Sequence, residues 1–167
     1  MVSTITIEIS NLYPQLEFDE KKLKDFFECV FSLHKHDASG VLSVVFLDRE
    51  HHSNIHGEFL KDFRPTDVIT FPADGTNDLA GEICVSVDQA LEEANRREIP
   101  WAEELSLYLI HGWLHLVGFD DVEEVDRKIM RREEARAMEV ISQSNGWPDF
   151  LLASNPVSYT HLTLPTI

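Results

Sequence analysis

His111 and His115 are four residues apart, so on a helix their imidazoles share one face and can converge on a single ion. The stretch Trp101 to Leu116 has the pattern of such a helix. Leu105, Leu109 and Leu116 recur with the histidines at about 3.6-residue spacing, and Glu103 and Glu104 lie in the first turn, where the helix dipole favours anions. Gly118 suits a left-handed cap that ends the helix, and the reversal there can bring Asp121 back toward the two rings. Two nitrogens and one carboxylate oxygen leave a coordination position open, as in catalytic rather than structural zinc sites. In zinc peptidases of the His-Glu-x-x-His type the residue after the first histidine is the general base; here it is Gly112, which argues against peptidase chemistry. Trp113, Leu114 and Phe119 read as packing residues.

The segment His111 to Asp121 resembles the His-Gly-x-Leu-His-Leu-x-Gly-[Tyr/Phe]-Asp-His signature of the YbeY family, bacterial metal-dependent endoribonucleases of ribosomal RNA maturation. Three further segments resemble the same family in order along the chain: Pro65-Thr66-Asp67-Val68-Ile69-Thr70-Phe71-Pro72, Gly81-Glu82-Ile83-Cys84-Val85-Ser86, and Met130 with Glu134 in the last helix. The resemblance implies a single-strand-specific endoribonuclease acting at the 3′ end of 16S rRNA and in ribosome quality control. It implies His111 and His115 as catalytic metal ligands and one Zn²⁺ or another divalent ion. Partners would be ribosomal RNA and ribosome components, without DNA or membrane. Asp121 stands where the signature has a third histidine, so the ligand set becomes His111, His115 and Asp121, with Asp120 the weaker candidate. Leu60 stands where many members carry an arginine, and Lys61 and Arg64 are the nearby candidates for binding substrate.

Zn²⁺ lowers the pKa of water and acts as a Lewis acid on phosphoryl oxygens, which suits phosphodiester cleavage near neutral pH. The nucleophile is either water or the ribose 2′-hydroxyl, and Asp67 and Glu82 are candidate bases. Two other classes fit parts of the pattern. A ribosome-associated assembly factor with a structural metal fits the missing arginine and third histidine, and an iron oxygenase fits a two-histidine, one-carboxylate set.

The elements that must position these residues read as one α+β domain. Strands are expected at Thr4 to Ser10, Val41 to Leu47, Val68 to Phe71 and Ile83 to Val87. Helices are expected from Asp19 to Leu33, with Leu23, Phe26, Phe27, Val30 and Phe31 inward, then over Glu50 to Phe59 behind an Asp48 cap. Others run from Asp88 to Arg97, from Pro100 through the histidines, and from Val122 to Ser142. The family resemblance implies a four-stranded mixed sheet packed with about five helices, in agreement with this order. Residues 1–155 are assigned to the nuclease-like domain. Residues 156–167 resemble a translated sequencing adapter and are set aside from fold reasoning, so His161 receives no role.

At 167 residues and 43% hydrophobic content the chain suits one packed core. No apolar run approaches the roughly 20 residues of a membrane span and no signal-like N-terminus is present, so a cytoplasmic protein is expected. Cys29 and Cys84 read as buried free thiols. A net charge of −16 opposes indiscriminate binding to nucleic acid. Basic residues nevertheless cluster along Arg127, Lys128, Arg131, Arg132 and Arg136, where one helix side can meet phosphates or simply pair with neighbouring acids. His52 and His56 form a second i, i+4 pair but lack a third ligand and read as surface residues, while His34 and His36 read as exposed or capping.

Overall fold

Alternating Ile5, Ile7 and Ile9 make Ile5–Asn11 a strand with one apolar face (β1), which pairs in parallel with Gly40–Leu47 (β3). A computed structural model describes residues 4–35, 39–60, 67–73 and 79–153. β3 pairs in parallel with Leu79–Ser86 (β5), and Val68–Pro72 (β4) closes the sheet antiparallel to β5, giving the mixed order β1-β3-β5-β4. Parallel neighbours need crossovers, and helices supply them. Glu20–Leu33 (α1) links β1 to β3, Arg49–Leu60 (α2) follows β3, and Val87–Arg97 (α3), Trp101–Leu116 (α4) and Glu124–Ser144 (α5) follow β5. A second sheet, Leu16–Glu17 (β2) against Leu151–Leu152 (β6), was not anticipated, because two-residue strands carry no readable alternation.

The period-two alternation of the strands divides the core. Leu42, Val44, Phe46, Ile83 and Val85 face α1 and α4, whereas Leu47, Ile69 and Cys84 face the other way with Ile55 of α2. α1 starts where Asp19 accepts a hydrogen bond from the Lys22 amide, and it buries Leu23, Phe26, Phe27 and Val30. Asp48 caps α2 by accepting from the His51 amide at 2.8 Å. The cap of α3 is Ser86, two residues before the expected Asp88. Asp88 is engaged elsewhere: its carboxylate accepts from the Tyr13 hydroxyl at 2.7 Å and the Arg49 amide at 2.8 Å.

Gly112 sits where α4 presses on the sheet. A Cβ there would stand 2.8 Å from Cγ2 of fully buried Ile83 and 3.3 Å from Val68. This contact also explains why the position holds no acid, since a side chain would point into the core. Gly112→Ala is expected to destabilise the fold by about 1–3 kcal/mol through overpacking. Urea unfolding measures this, and an unchanged midpoint would show that the α4 contact yields.

Two histidines are buried: His52, which read as a surface residue, and His34, which read as exposed or capping and does cap α1. His34 ends α1, its carbonyl accepts from Trp113 Nε1 at 2.9 Å, and its ring bonds Glu133 of α5 at 2.7 Å. Glu133 is held below the ordinary carboxylate range, chiefly by that hydrogen bond. His52 is 1% exposed and donates from Nε2 to the Cys84 carbonyl at 3.0 Å. Burial pushes its pKa down, so the folded ring stays neutral. As pH falls below the ordinary imidazole value of about 6.5, the unfolded chain takes up this proton first and stability is lost. In metal-free protein, the fall in Tm from about pH 7 to pH 5.5 should be smaller in His52→Gln than in the parent, and equal falls would contradict the assignment.

Cys84 is buried, with its thiol pushed up to about 12 by that burial, while Cys29 is half-buried; both are free. No helix among the described residues is long and apolar enough to cross a membrane.

Candidate metal centre

α4 carries both histidines because its opposite face is apolar: Leu105, Leu109, Gly112, Trp113 and Leu114 are buried, leaving His111 and His115 on the rim beside α5 and β4. Beyond Leu116 the chain reverses. The Phe119 amide donates to the Leu114 carbonyl at 2.9 Å and the Gly118 amide to the His115 carbonyl at 3.1 Å, a Schellman motif with Gly118 at φ 109°. That reversal returns Asp121 to the histidines. The Asp120 carboxylate is turned to the backbone, accepting from the Asp121 amide at 2.7 Å.

The three candidate ligand atoms form a nearly equilateral triangle. His111 Nε2 and His115 Nε2 are 3.0 Å apart, and Asp121 Oδ2 is 3.4 Å from the first and 3.5 Å from the second. Ligands at tetrahedral angles around an ion with bonds of about 2.0–2.1 Å stand roughly 3.3–3.4 Å apart, so the triangle has the dimensions of a zinc face. Among the described residues this is the one group of three such side chains whose ligand atoms lie within 4.8 Å of one another.

Glu134 on α5 contacts His111 Nδ1. A carboxylate only accepts, so Nδ1 carries the proton and Nε2 turns its lone pair toward His115 and Asp121, the tautomer a metal ligand needs. Burial alone would depress the His111 pKa, but the hydrogen bond and charge of Glu134, with Asp67 and Asp121, outweigh it and the net direction is upward. The acids that hold a proton there favour a divalent cation in its place. In sequence Glu134 was visible only through its place in the family pattern, because spacing alone does not show which ring it reaches.

Two clefts meet at this triangle. One, of about 460 Å³, runs between α3, α4 and α5 and is lined by Arg97, Tyr108, Arg127 and Arg131. The other, of about 280 Å³, is bounded by His56 and by Val68 to Thr70 of the sheet edge. Asp67, His111 and Asp121 border both. Glu82 does not reach the site: it alternates with Ile83, which faces α4, and so lies on the α2 side of the sheet. His56 lines the second cleft rather than forming a site with His52, whose ring is occupied at Cys84. Lys128 pairs with Glu124 and lies outside the first cleft. Lys61, Arg64 and His36 lie outside the described residues.

Residues 8–142 match the family model described as Endoribonuclease YbeY. The chain belongs to the YbeY family. Relatives named Endoribonuclease YbeY include one from Carboxydothermus hydrogenoformans, 29% identical over 80% of this chain and 96% of the relative. Another, from Protochlamydia amoebophila, is 35% identical over 80% of this chain and 91% of the relative. A Thermotoga maritima protein solved in solution superposes with a TM-score of 0.59 at 28% identity, covering 90% of this chain and 98% of its own. Among the described residues the chain is an α+β domain with a four-stranded mixed sheet and five helices, and that solved structure is similar to it.

Proposed function

We propose that the chain is a cytoplasmic, metal-dependent endoribonuclease of ribosomal RNA, single-strand-specific, acting at the 3′ end of 16S rRNA and in ribosome quality control. The observation that carries this reading is the triangle of His111, His115 and Asp121, with Glu134 fixing the His111 tautomer, in a chain of a family named for endoribonucleases. These three side chains hold one divalent ion, Zn²⁺ by the size and chemistry of the donor set. When bound, the ion supplies Lewis acidity toward the phosphodiester. The remaining work belongs to the protein. His111 and His115 are fixed by α4 and Glu134, and Asp67, at the junction of the two clefts, accepts the proton of the attacking water or 2′-hydroxyl through its carboxylate.

Cleavage of a 16S rRNA 3′ fragment by purified protein tests the reading, with His115→Ala as the inactive control. Equal cleavage by both proteins would overturn it. Cleavage by neither, with metal still bound in the parent, would favour a ribosome-associated assembly factor with a structural metal, the reading supported by Asp121 and Leu60 at positions where the family has histidine and arginine. The oxygenase alternative loses its support, since its ligands come from strands of a β-barrel and both histidines here share a helix.

A further inference from the structure

The chain carries 14 Lys and Arg against 30 Asp and Glu, so a cation without an acid partner is unusual in it. Lys61 and Arg64 lie outside the described residues. Of the remaining twelve cations, nine form ion pairs with carboxylates. The three that form none among the described residues are Lys35, Arg127 and Arg131, and the two arginines line the same cleft beside His111.

The acids of that cleft are engaged with other groups, Asp67 through one carboxylate oxygen that accepts from the Val68 amide at 2.8 Å. Glu104 bonds Arg97 at 3.1 Å, Glu93 bonds Arg96, and Glu134 and Asp121 are turned to the histidines. Arg127 is also held in place, because its Nη1 donates to the Val122 carbonyl at 2.6 Å while the rest of its planar fork of donors remains available. Along α5 the positions Arg127, Arg131 and Glu134 follow i, i+4, i+7 and so form one stripe. Arg131 and Arg127 precede Glu134 by about 4.5 Å and about 10.5 Å along the helix axis. The cations thus stand in line with the carboxylate that orients the metal triangle.

We propose that the cleft between α3, α4 and α5 is a phosphate subsite in which Arg127 and Arg131 hold backbone phosphates of an RNA single strand adjacent to the one cleaved. This rests on the endoribonuclease reading for its ligand and assigns direction to it: the strand leaves the metal triangle along α5. Two cations lining one cleft of an otherwise acidic surface attract the strand there while the remaining surface repels it.

The test is fluorescence anisotropy of a labelled, single-stranded 2′-O-methyl decaribonucleotide with the full chain across a salt series. Each phosphate contact contributes about 0.7 to the slope of log affinity against log salt for a single strand. The double variant Arg127→Gln, Arg131→Gln should therefore lose about 1.4 of the slope, so the affinity ratio between roughly 50 and 200 mM salt shrinks about sevenfold. Lys128→Gln, one residue away but outside the cleft, should keep the parent slope. Thermal melting shows that each variant is folded. An unchanged slope in the double variant, equal flattening in Lys128→Gln, or no binding by the parent overturns the subsite. Failure of the nuclease reading looks different: the parent binds with an arginine-dependent slope and does not cleave.

Discussion

His115→Ala is expected to remove stoichiometric zinc and to lower RNA cleavage by about a thousandfold, which corresponds to several kcal/mol of lost transition-state stabilisation. The ring is 25% exposed, and the packing of α4 rests on Leu109, Trp113 and Leu114 rather than on it. Metal-stripped parent and metal-stripped variant should therefore melt within about 0.5 kcal/mol of each other, as surface changes do. Loaded with zinc, the parent alone should gain stability, because an ion that binds the folded state shifts the equilibrium by mass action. His111→Ala should behave likewise, with the additional penalty of leaving half-buried Glu134 without its partner. Zinc content by mass spectrometry and a thermal melt check both variants, and unchanged metal and Tm would sink the assignment.

Asp121 separates this chain from the usual family pattern, and the second large effect is expected there. Asp121→Ala should weaken zinc binding on the order of a hundredfold or more, beyond the 10–100-fold typical for a group that only supports a ligand. Asp121→His should restore three ligands and raise affinity for softer metals, while Asp120→Ala, whose carboxylate is turned to the backbone, should leave zinc affinity unchanged. Competition titration against a chromophoric chelator ranks the three. If Asp120→Ala alone loses metal, the turn after Gly118 presents the other carboxylate to the ion.

Local signals account for much of what positions this site. The i, i+4 histidines, the Gly118 reversal and the apolar stripe through Leu105 and Leu109 are short-range features, and the structure builds α4 and its Schellman turn from them. The Asp19 and Asp48 caps and the strand at Val41 to Leu47 were readable for the same reason. Less of what depends on distant partners was visible. Asp88 looked like a helix start, yet Tyr13 and Arg49 claim it from 75 and 39 residues away. His52 looked exposed, and His34 exposed or capping, because a polar ring in a polar stretch gives no hint of the Cys84 carbonyl or the Glu133 carboxylate that makes its burial tolerable. β5 runs four residues further N-terminal than its apolar stretch suggested. Gly81, at φ 146°, lets the strand continue where Leu116 of α4 closes to about 3 Å of a Cβ position. The charge pattern on α5 was legible only as an average, and the structure divides it into paired residues such as Lys128 and cleft residues such as Arg131.

The central claim is that one ion sits between two rings of α4 and the carboxylate returned by the Gly118 turn. Anomalous diffraction at the zinc edge, from crystals of protein loaded with one equivalent of zinc, tests it most directly. A single peak within about 2.2 Å of His111 Nε2, His115 Nε2 and Asp121 Oδ2 is the predicted result. A peak at His56 or elsewhere, or no peak at the triangle, would contradict it.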